Sequence, residues 1–310
     1  MEKDKKKWKI SPIAIVLGVI LALYSIILLY LIFWAVLTSV KTNTEFVMNK
    51  NYWGLPINPN TNETLSPLEW AWENYSKIIK FFDLSGLQRN GRNITVPFGT
   101  QIVYTLLYAV GCSLLGTLAP CLVAYATSKF NYRFNRVIEI VVIITMIVPI
   151  VGSQVSMVSL LYSLNIYDTF IALYLQKFYF ANMYYLVFSA VFKGVSKEYY
   201  EAAHIDGASE WTVMVRIAFP LVITSFALTM LLYFIQYWND YSTLLVYAPS
   251  HPTISYGLYR IMTDSTGGSE RGATPVQMAG CVIIVIPVII LFLIFRNKLM
   301  GNFTIGGVKE

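Results

Sequence analysis

Six apolar segments, separated by polar stretches, dominate the residue pattern along the chain. They cover 13–40, 100–127, 137–162, 178–192, 221–247 and 275–295. A helix needs about 20 mainly apolar residues to cross a bilayer, and every segment except 178–192 reaches that length. The stretch 168–177 before the short segment is predicted to be either a half-helix or an interfacial piece, packed at its outer end. The pattern therefore predicts an all-α, polytopic membrane protein with six transmembrane helices.

The composition agrees with this fold class. Hydrophobic residues make up 56% of the 310 positions and charged residues only 13%, with a mean hydropathy of +0.57. A soluble domain of this balance would expose large apolar patches. The net charge of +6 arises from basic residues scattered at the ends of apolar segments. That placement favours membrane lipid headgroups as a partner and argues against nucleic acid.

Basic residues also predict the orientation. The first apolar segment is too long for the ~7–15-residue core of a signal peptide, so we expect it to be retained behind its Lys-rich tail. If the N-terminus is cytoplasmic, the short inner segments hold far more Lys and Arg than the short outer ones. The polar excursion 41–96 then lies outside, where Ser66 and Pro67 predict a surface helix over 66–82. Both termini are expected in the cytoplasm.

Cysteine and histidine give no sign of a metal site. Cys112, Cys121 and Cys281 all lie within apolar segments, an odd number without paired spacing. His204 and His251, the only histidines, fall on opposite sides of the membrane in the predicted topology. We therefore expect neither a metal ion nor a catalytic histidine.

A polar stretch between the fourth and fifth segments contains the most specific pattern in the chain. Residues 196–205 favour a short helix, and Gly207 is placed to end it in the left-handed region. Ser209 can then cap a second helix, with Glu210 in its first turn, and Pro220 marks entry into the next segment. The stretch predicts two short helices at an angle, offering a charged, Ala-faced surface to the cytoplasm.

The spacing of Glu201-Ala202-Ala203, Gly207, Ile217 and Pro220 resembles the EAA loop of bacterial ABC importer permeases. Phe219 departs from the usual Leu but stays apolar. The resemblance implies a type I permease core of five helices at 97–296, with its EAA loop at 196–221. Around it lie a tail and first helix at 1–40, the extracellular insertion 41–96 and a cytoplasmic tail at 297–310. The residues that the resemblance assigns to ATPase coupling are Glu201, Ala202, Ala203, His204, Asp206, Gly207 and Ala208.

Partners follow from the same resemblance. Gly-Lys does not occur as a dipeptide, so the chain lacks the phosphate-binding loop G-x-x-x-x-G-K-[ST] and we expect no cofactor on it. ATP and Mg would instead be bound by an ABC ATPase dimer that receives the EAA loop. A second permease chain and an extracellular solute-binding protein complete the expected assembly. The outer loop 248–274 either contacts that binding protein or is a solvated linker.

Polar residues inside apolar segments indicate where a substrate would pass. The fifth segment carries Gln236, Trp238, Asn239 and Asp240, and amides beside aromatic rings suit sugars. Buried ionisable groups in a membrane are costly and commonly face a cavity, although packing between helices explains them equally well. In the third segment, Pro149 and Gly152 suggest a kink, and Gln154 and Ser156 line either the path or a packed interface.

The resulting prediction is a non-catalytic permease subunit in the bacterial cytoplasmic membrane. It would move a sugar, of oligosaccharide size, by alternating access driven by a separate ATPase. The short tail ending in Gly306, Gly307 and Glu310 resembles that of maltose-type permeases. An ABC importer permease for a non-sugar solute is the alternative, followed by a stand-alone secondary transporter, which would need more intramembrane ionisable groups than this chain carries.

Overall fold

The computed structural model describes residues 11–89, 91–130, 132–148, 152–263 and 272–301, without the side chains of 296–301. Fourteen α-helices, one π-helical turn and one hairpin occur in these ranges. They are α1 (Pro12–Ser39), α2 (Asn43–Val47), α3 (Glu73–Phe81), β1 (Leu84–Arg89), β2 (Arg92–Val96), α4 (Phe98–Lys129), α5 (Asn135–Ile147), α6 (Ser153–Ser163), α7 (Phe170–Lys177), α8 (Met183–Lys193), α9 (Lys197–Ile205), α10 (Glu210–Val213), the π-helix (Met214–Ala218), α11 (Phe219–Trp238), α12 (Ser242–Tyr247), α13 (Ile254–Thr263) and α14 (Thr274–Gly301).

The chain divides into two units, the first made of residues 1–81 and 261–285. Helix α1 is apolar on every side and exposes most of its large side chains, as a lipid-facing helix does. Its last turn is buried by the polar excursion that follows it. The Asn74 side chain donates to the carbonyls of Ser39 (2.9 Å) and Lys41 (2.7 Å), and Lys41 Nζ donates to the Asn51 carbonyl (2.7 Å). The excursion is therefore an ordered layer at the end of α1.

The helix predicted over 66–82 is shorter in the structure, where it begins at Glu73. Ser66 and Glu69 close a local turn instead, since both the amide and the hydroxyl of Ser66 donate to the Glu69 carboxylate. Side chains of Ser and Thr that bond nearby polar groups compete with helix formation in this way. Ser66 thus stabilises a turn, and the helix begins only at Glu73.

The second unit, residues 82–260 and 286–310, is organised around α4. The antiparallel hairpin β1–β2 leads into α4, which packs against α7, α8 and α11. Gly111 allows the close approach of α7, because a Cβ there would lie 2.5 Å from the ring of Tyr174. A buried cluster joins α4, α5, α8, the π-helical turn and α11, and it comprises Cys121, Ala124, Tyr125, Val142, Tyr185, Phe188, Phe192, Ala218, Val222 and Phe226.

Four helical stretches in the described residues are long and apolar enough to cross a membrane. They are Pro12–Ser39, Phe98–Lys129, Glu210–Trp238 and Thr274–Phe295. The third predicted segment is instead divided between α5 and α6, and the fourth contains the 11-residue α8. At 1.5 Å per residue, α8 alone spans about half of the ~30 Å hydrocarbon layer. The mostly helical membrane fold is confirmed, and the six-span count stays a prediction.

Candidate functional site

Helix α9 forms where the sequence predicts it. The Ser196 hydroxyl accepts a hydrogen bond from the Glu198 amide (3.3 Å), which satisfies one of the free donors at the helix start. Glu198 also places a negative charge in the first turn, where it complements the helix dipole. The helix then runs to Ile205 and carries Glu201 in its middle.

Gly207 ends α9 in the left-handed conformation, with φ of +81°. The Ala208 amide donates to the Ala203 carbonyl (2.9 Å) and the Gly207 amide to the His204 carbonyl (3.0 Å). This pair of bonds is the Schellman arrangement, in which glycine at the left-handed position avoids the clash of a Cβ. The predicted role of Gly207 in setting the turn is therefore visible in the backbone.

The second helix of the EAA loop is capped as predicted but is not a separate short helix. The Ser209 hydroxyl accepts from the Thr212 amide (3.3 Å), and α10 starts at Glu210. The chain then continues through the π-helical turn directly into α11, with the Phe219 amide bonded to the Met214 carbonyl five residues back. A proline in a regular helix would clash with the carbonyl four residues before it, and the wider π turn before Pro220 relieves that clash.

An ion pair that the sequence analysis missed ties this loop to α4. Lys129, at the end of α4, donates to the Glu210 carboxylate, and His204 Nε2 lies 3.4 Å from the other Glu210 oxygen. The Lys129 ammonium also lies 5.3–5.7 Å from the rings of Phe130 and Tyr125. Sequence analysis could not find this pair, because no local pattern links residues 81 positions apart in the chain.

Most of the residues predicted to couple to an ATPase are available to a partner. Glu201, Ala202, His204, Asp206 and Gly207 are exposed and Ala208 is half-buried. Ala203 is the exception, because it is buried within the chain at 7% exposure. It faces inward because helical periodicity puts successive residues of α9 on different sides.

Exposed apolar side chains surround these polar residues. Tyr199 is 58% exposed, Ile205 85% and Trp211 71%. Large exposed apolar groups interspersed with charged residues, as on these short helices, are typical of a protein interaction surface. The sequence analysis did not single out these three side chains, although their position on short polar helices is a usable signal.

Asp240 stabilises the interruption of helical structure between α11 and α12. Its Oδ2 accepts from the Tyr108 hydroxyl of α4 (2.8 Å), and its Oδ1 accepts from the Thr243 amide (3.0 Å) and the Ser242 hydroxyl (3.1 Å). Helix α11 has ended at Trp238, and α12 begins at Ser242. Asp240 thus joins three elements and is half-buried.

The other predicted path residues of this segment differ in their exposure. Trp238 is buried at 4% exposure and packs on Phe234 at 5.5 Å between ring centroids. Gln236 and Asn239 are exposed, and Asn239 donates to the carbonyl of Ile235 in its own helix (2.8 Å). Of the four, Gln236 and Asn239 are therefore open to a second molecule, whereas Trp238 is a packing residue in this conformation.

Gln154 and Ser156 lie in the first turn of α6, and both are exposed. Gly152 precedes this helix with φ of +79°, so the predicted interruption of the third segment is present, while Pro149 lies outside the described residues. None of the hydrogen bonds among the described residues joins Gln154 or Ser156 to Asp240. The two groups of candidate path residues remain on separate elements.

A second polar cluster, also missed from sequence, closes the opposite end of this unit. Asp168 adopts φ of +60°, and its Oδ1 accepts from the Ser250 amide (3.0 Å) and lies 3.3 Å from His251 Nδ1. Arg89 of β1 donates to the Ser250 carbonyl (2.9 Å). Burial raises the pKa of Asp168, but the hydrogen bonds from His251 and Ser250 outweigh it and hold that pKa below its ordinary value.

Within the residues that the structure describes, His, Cys, Asp and Glu form no group of three or more that could hold a metal ion. The polar contacts of Glu210, Asp240 and Asp168 instead join elements of the chain to one another.

Comparison with known proteins points to one family. The family model described as "Binding-protein-dependent transport system inner membrane component" matches residues 116–299. A solved chain from a bacterial ABC transporter involved in the import of the acidic polysaccharide alginate shares the fold, with a TM-score of 0.71 and 20% identity. That alignment covers 94% of this chain and 96% of the solved one.

Characterised relatives are similar over most of their length. The arabinooligosaccharides transport system permease protein AraQ of Bacillus subtilis is 22% identical, covering 96% of this chain and 97% of AraQ. AraQ of Halalkalibacterium halodurans is 26% identical over 214 residues, covering 68% of this chain and 73% of its own length. The trehalose transport system permease protein SugB of Mycobacterium tuberculosis is 23% identical, covering 89% and 97% respectively.

Proposed function

Because the chain belongs to the family of binding-protein-dependent transport system inner membrane components, we propose that it is the permease subunit of an ATP-driven sugar importer. It is a multi-pass protein of the cytoplasmic membrane. The observation that carries the proposal is the EAA loop, where a glycine-terminated helix presents Glu201 and Ala202 beside the exposed Ile205 and Trp211. Such a surface fits a cleft on a separate ATPase dimer, which binds ATP and Mg and performs the hydrolysis.

Coupling follows from the way this loop is attached. Movement imposed on α9 reaches α4 through Lys129 and Glu210, and it reaches α11 through the continuous backbone from Glu210 to Trp238. The far end of α11 adjoins Asp240, which is bonded to α4 through Tyr108. A rigid displacement of the loop therefore shifts both helices together. This is the mechanical requirement of alternating access.

The substrate assignment rests on the relatives together with the polar residues near Asp240. Permeases named for arabinooligosaccharides and trehalose are similar along nearly the whole chain. Exposed amides at Gln236 and Asn239, with Gln154 and Ser156 on α6, offer hydrogen-bonding groups of the kind that sugar hydroxyls need. We therefore assign an oligosaccharide as cargo, and these residues as its path.

The proposed topology has six spans and both termini in the cytoplasm. Helices α5 and α6 together make the third span, and α8 with its preceding extended stretch makes the fourth. The permease core extends over 97–296, the 41–96 insertion lies outside, and the tail 297–310 reaches toward the ATPase. A second permease chain encloses the path, and an extracellular solute-binding protein delivers the sugar.

Purification of the tagged chain from native membranes in mild detergent tests the class. We expect it to bring an ATPase containing G-x-x-x-x-G-K-[ST] and a second chain with an EAA loop. Repeated recovery of this chain alone, with transport intact after reconstitution, would overturn the importer assignment. Uptake of labelled oligosaccharides compared with labelled peptides and phosphate then tests the cargo, and peptide or phosphate uptake alone would overturn the sugar.

A further inference from the structure

A strongly basic cavity lies beside the EAA loop, between the end of α4, the start of α5 and the end of α8. Its volume is about 580 Å³. The charged side chains that line it are Lys129, Arg133, Arg136, Lys193, Lys197 and a single acid, Glu139. Five cations around one small cavity repel each other, so an anionic occupant would relieve an unfavourable field.

Two of these cations already have carboxylate partners. Lys129 is paired with Glu210, and Lys193 Nζ lies 3.6 Å from Glu139. Among the described residues no ion pair neutralises Arg133, Arg136 or Lys197. The cavity therefore keeps three unpaired positive charges, and two of these are guanidinium groups, whose planar donors match phosphate oxygens.

An apolar groove adjoins the basic cavity. It has a volume of about 350 Å³ and shares Thr127, Tyr132 and Asn135 with the cavity. Its remaining lining consists only of apolar side chains from α4, from α5 and from the cap residue before α5, namely Leu122, Val123, Ala126, Phe134 and Ile138. The groove thus runs from the charged end of α4 back along the helix toward the membrane-spanning region.

We propose that the cavity and groove together form a binding site for one anionic phospholipid. The phosphate of the headgroup would bind between Arg133, Arg136 and Lys197, and an acyl chain would lie in the groove beside Ala126. A free anion would use the basic cavity but leave the groove empty, whereas a neutral lipid would use the groove but not the charges. Only an anionic lipid satisfies both surfaces.

The location gives this site a route to the coupling machinery. Lys197 is the first residue of α9, and Lys129 joins the cavity to Glu210 at the start of α10. A lipid phosphate bound between Arg133, Arg136 and Lys197 therefore contacts the first residue of α9 and shares the cavity with Lys129, the partner of Glu210. The inference requires only that α4 crosses the membrane, so it is independent of the identity of the transported sugar.

Native mass spectrometry of the delipidated full chain, titrated with dioleoylphosphatidylglycerol or dioleoylphosphatidylcholine, tests the headgroup. We expect the anionic phosphatidylglycerol to bind more tightly than phosphatidylcholine. The double substitution R133Q/R136Q, at two exposed positions, should weaken phosphatidylglycerol binding about 25-fold, at about fivefold per basic residue. The matched control K77Q/K80Q removes two charges from the outer excursion and should leave binding unchanged. Equal affinity of the wild-type chain for the two lipids, or of R133Q/R136Q and wild type for the anionic lipid, would overturn the proposal.

Filling the groove tests the acyl chain. Ala126→Phe places a ring in the groove and should weaken binding of dioleoylphosphatidylglycerol while Arg133 and Arg136 are intact. If size-exclusion chromatography shows that the Phe variant does not fold, Ala126→Leu provides the same test with a smaller side chain. Inorganic phosphate at millimolar concentration should not displace the bound lipid. Displacement by phosphate, with no effect of either Ala126 substitution, would identify a free-anion site and refute the lipid assignment.

Discussion

Gly207→Val is the sharpest test of the EAA loop, because the structure isolates a single physical cause. Gly207 has φ of +81°, and a Cβ built at this position has no neighbouring atom within 4 Å. The Cβ of a valine would therefore meet no steric obstruction from the rest of the chain. The expected penalty is the left-handed backbone conformation, which β-branched residues strongly disfavour.

The size of that penalty sets the expected effect. A non-glycine residue in the left-handed region costs about 1–3 kcal/mol. This corresponds to a roughly 5- to 150-fold loss in the population of the turn that orients α9. A partner that binds only this conformation loses affinity in the same proportion. Asparagine, which tolerates left-handed geometry, should recover most of the loss.

Quantitative recovery of the ATPase with the tagged chain is the most direct assay, since it does not require the sugar to be known. Gly207→Val should bring down at least fivefold less ATPase than wild type, and Gly207→Asn should lie close to wild type. The matched control is Gly99→Val, because Gly99 also has an open Cβ position but lacks positive φ. Membrane insertion and monodispersity of all variants are measured alongside.

Equal recovery for Gly207→Val, Gly99→Val and wild type would refute the reasoning. It would mean that the turn at Gly207 does not orient a docking surface. Loss of ATPase with both Val variants would assign the effect to general instability of the chain, and would also remove the support for a conformational role.

Two further substitutions test the polar clusters at the other end of the second unit. Asp240→Asn replaces an acceptor that receives the Tyr108 hydroxyl, so it should lower the free energy of unfolding by about 1–2 kcal/mol and alter sugar uptake; a lower Tm with unchanged uptake would assign Asp240 to packing alone. Burial raises the pKa of Asp168, but hydrogen bonds from His251 and Ser250 lower it more, so the folded-state pKa lies below the ordinary value. The ionised carboxylate therefore stabilises the fold at any pH above its unfolded pKa of about 4, and this stability is lost as the pH falls through the lower folded pKa. Asp168→Asn should therefore flatten the acid side of the Tm-against-pH profile, and an unchanged slope there would contradict the role of this cluster.

Local chemistry explains why the EAA loop could be predicted so closely. A Ser cap, a helix of good formers and a terminating glycine act within about ten residues, so the pattern contains the whole cause of the structure. Gly207 and Ser209 occupy their predicted positions, whereas Ser196, predicted as the first residue of the helix, caps it instead. The π-helical turn before Pro220 was not predicted, because its form depends on keeping α10 and α11 continuous within the packed unit.

The third and fourth segments show the limit of an apolar pattern. Hydropathy marks residues 137–162 as one run, but in the structure α5 ends at Ile147 and α6 begins at Ser153. The composition of a segment indicates only its average free energy of transfer into the membrane. Whether the helix is continuous depends on where glycine and proline lie and on which neighbours accept or donate the backbone hydrogen bonds. The six-span topology therefore stays a prediction alongside the four long apolar helices.

The sequence by itself determined the membrane class, the mostly helical fold and the glycine-terminated first helix of the EAA loop, because these arise from composition and from interactions between near neighbours. Only the tertiary structure decided that Ala203 is buried, that Lys129 pairs with Glu210, and that Asp240 accepts from Tyr108. These contacts join residues far apart in the chain, and no local pattern specifies which distant side chains packing will bring together.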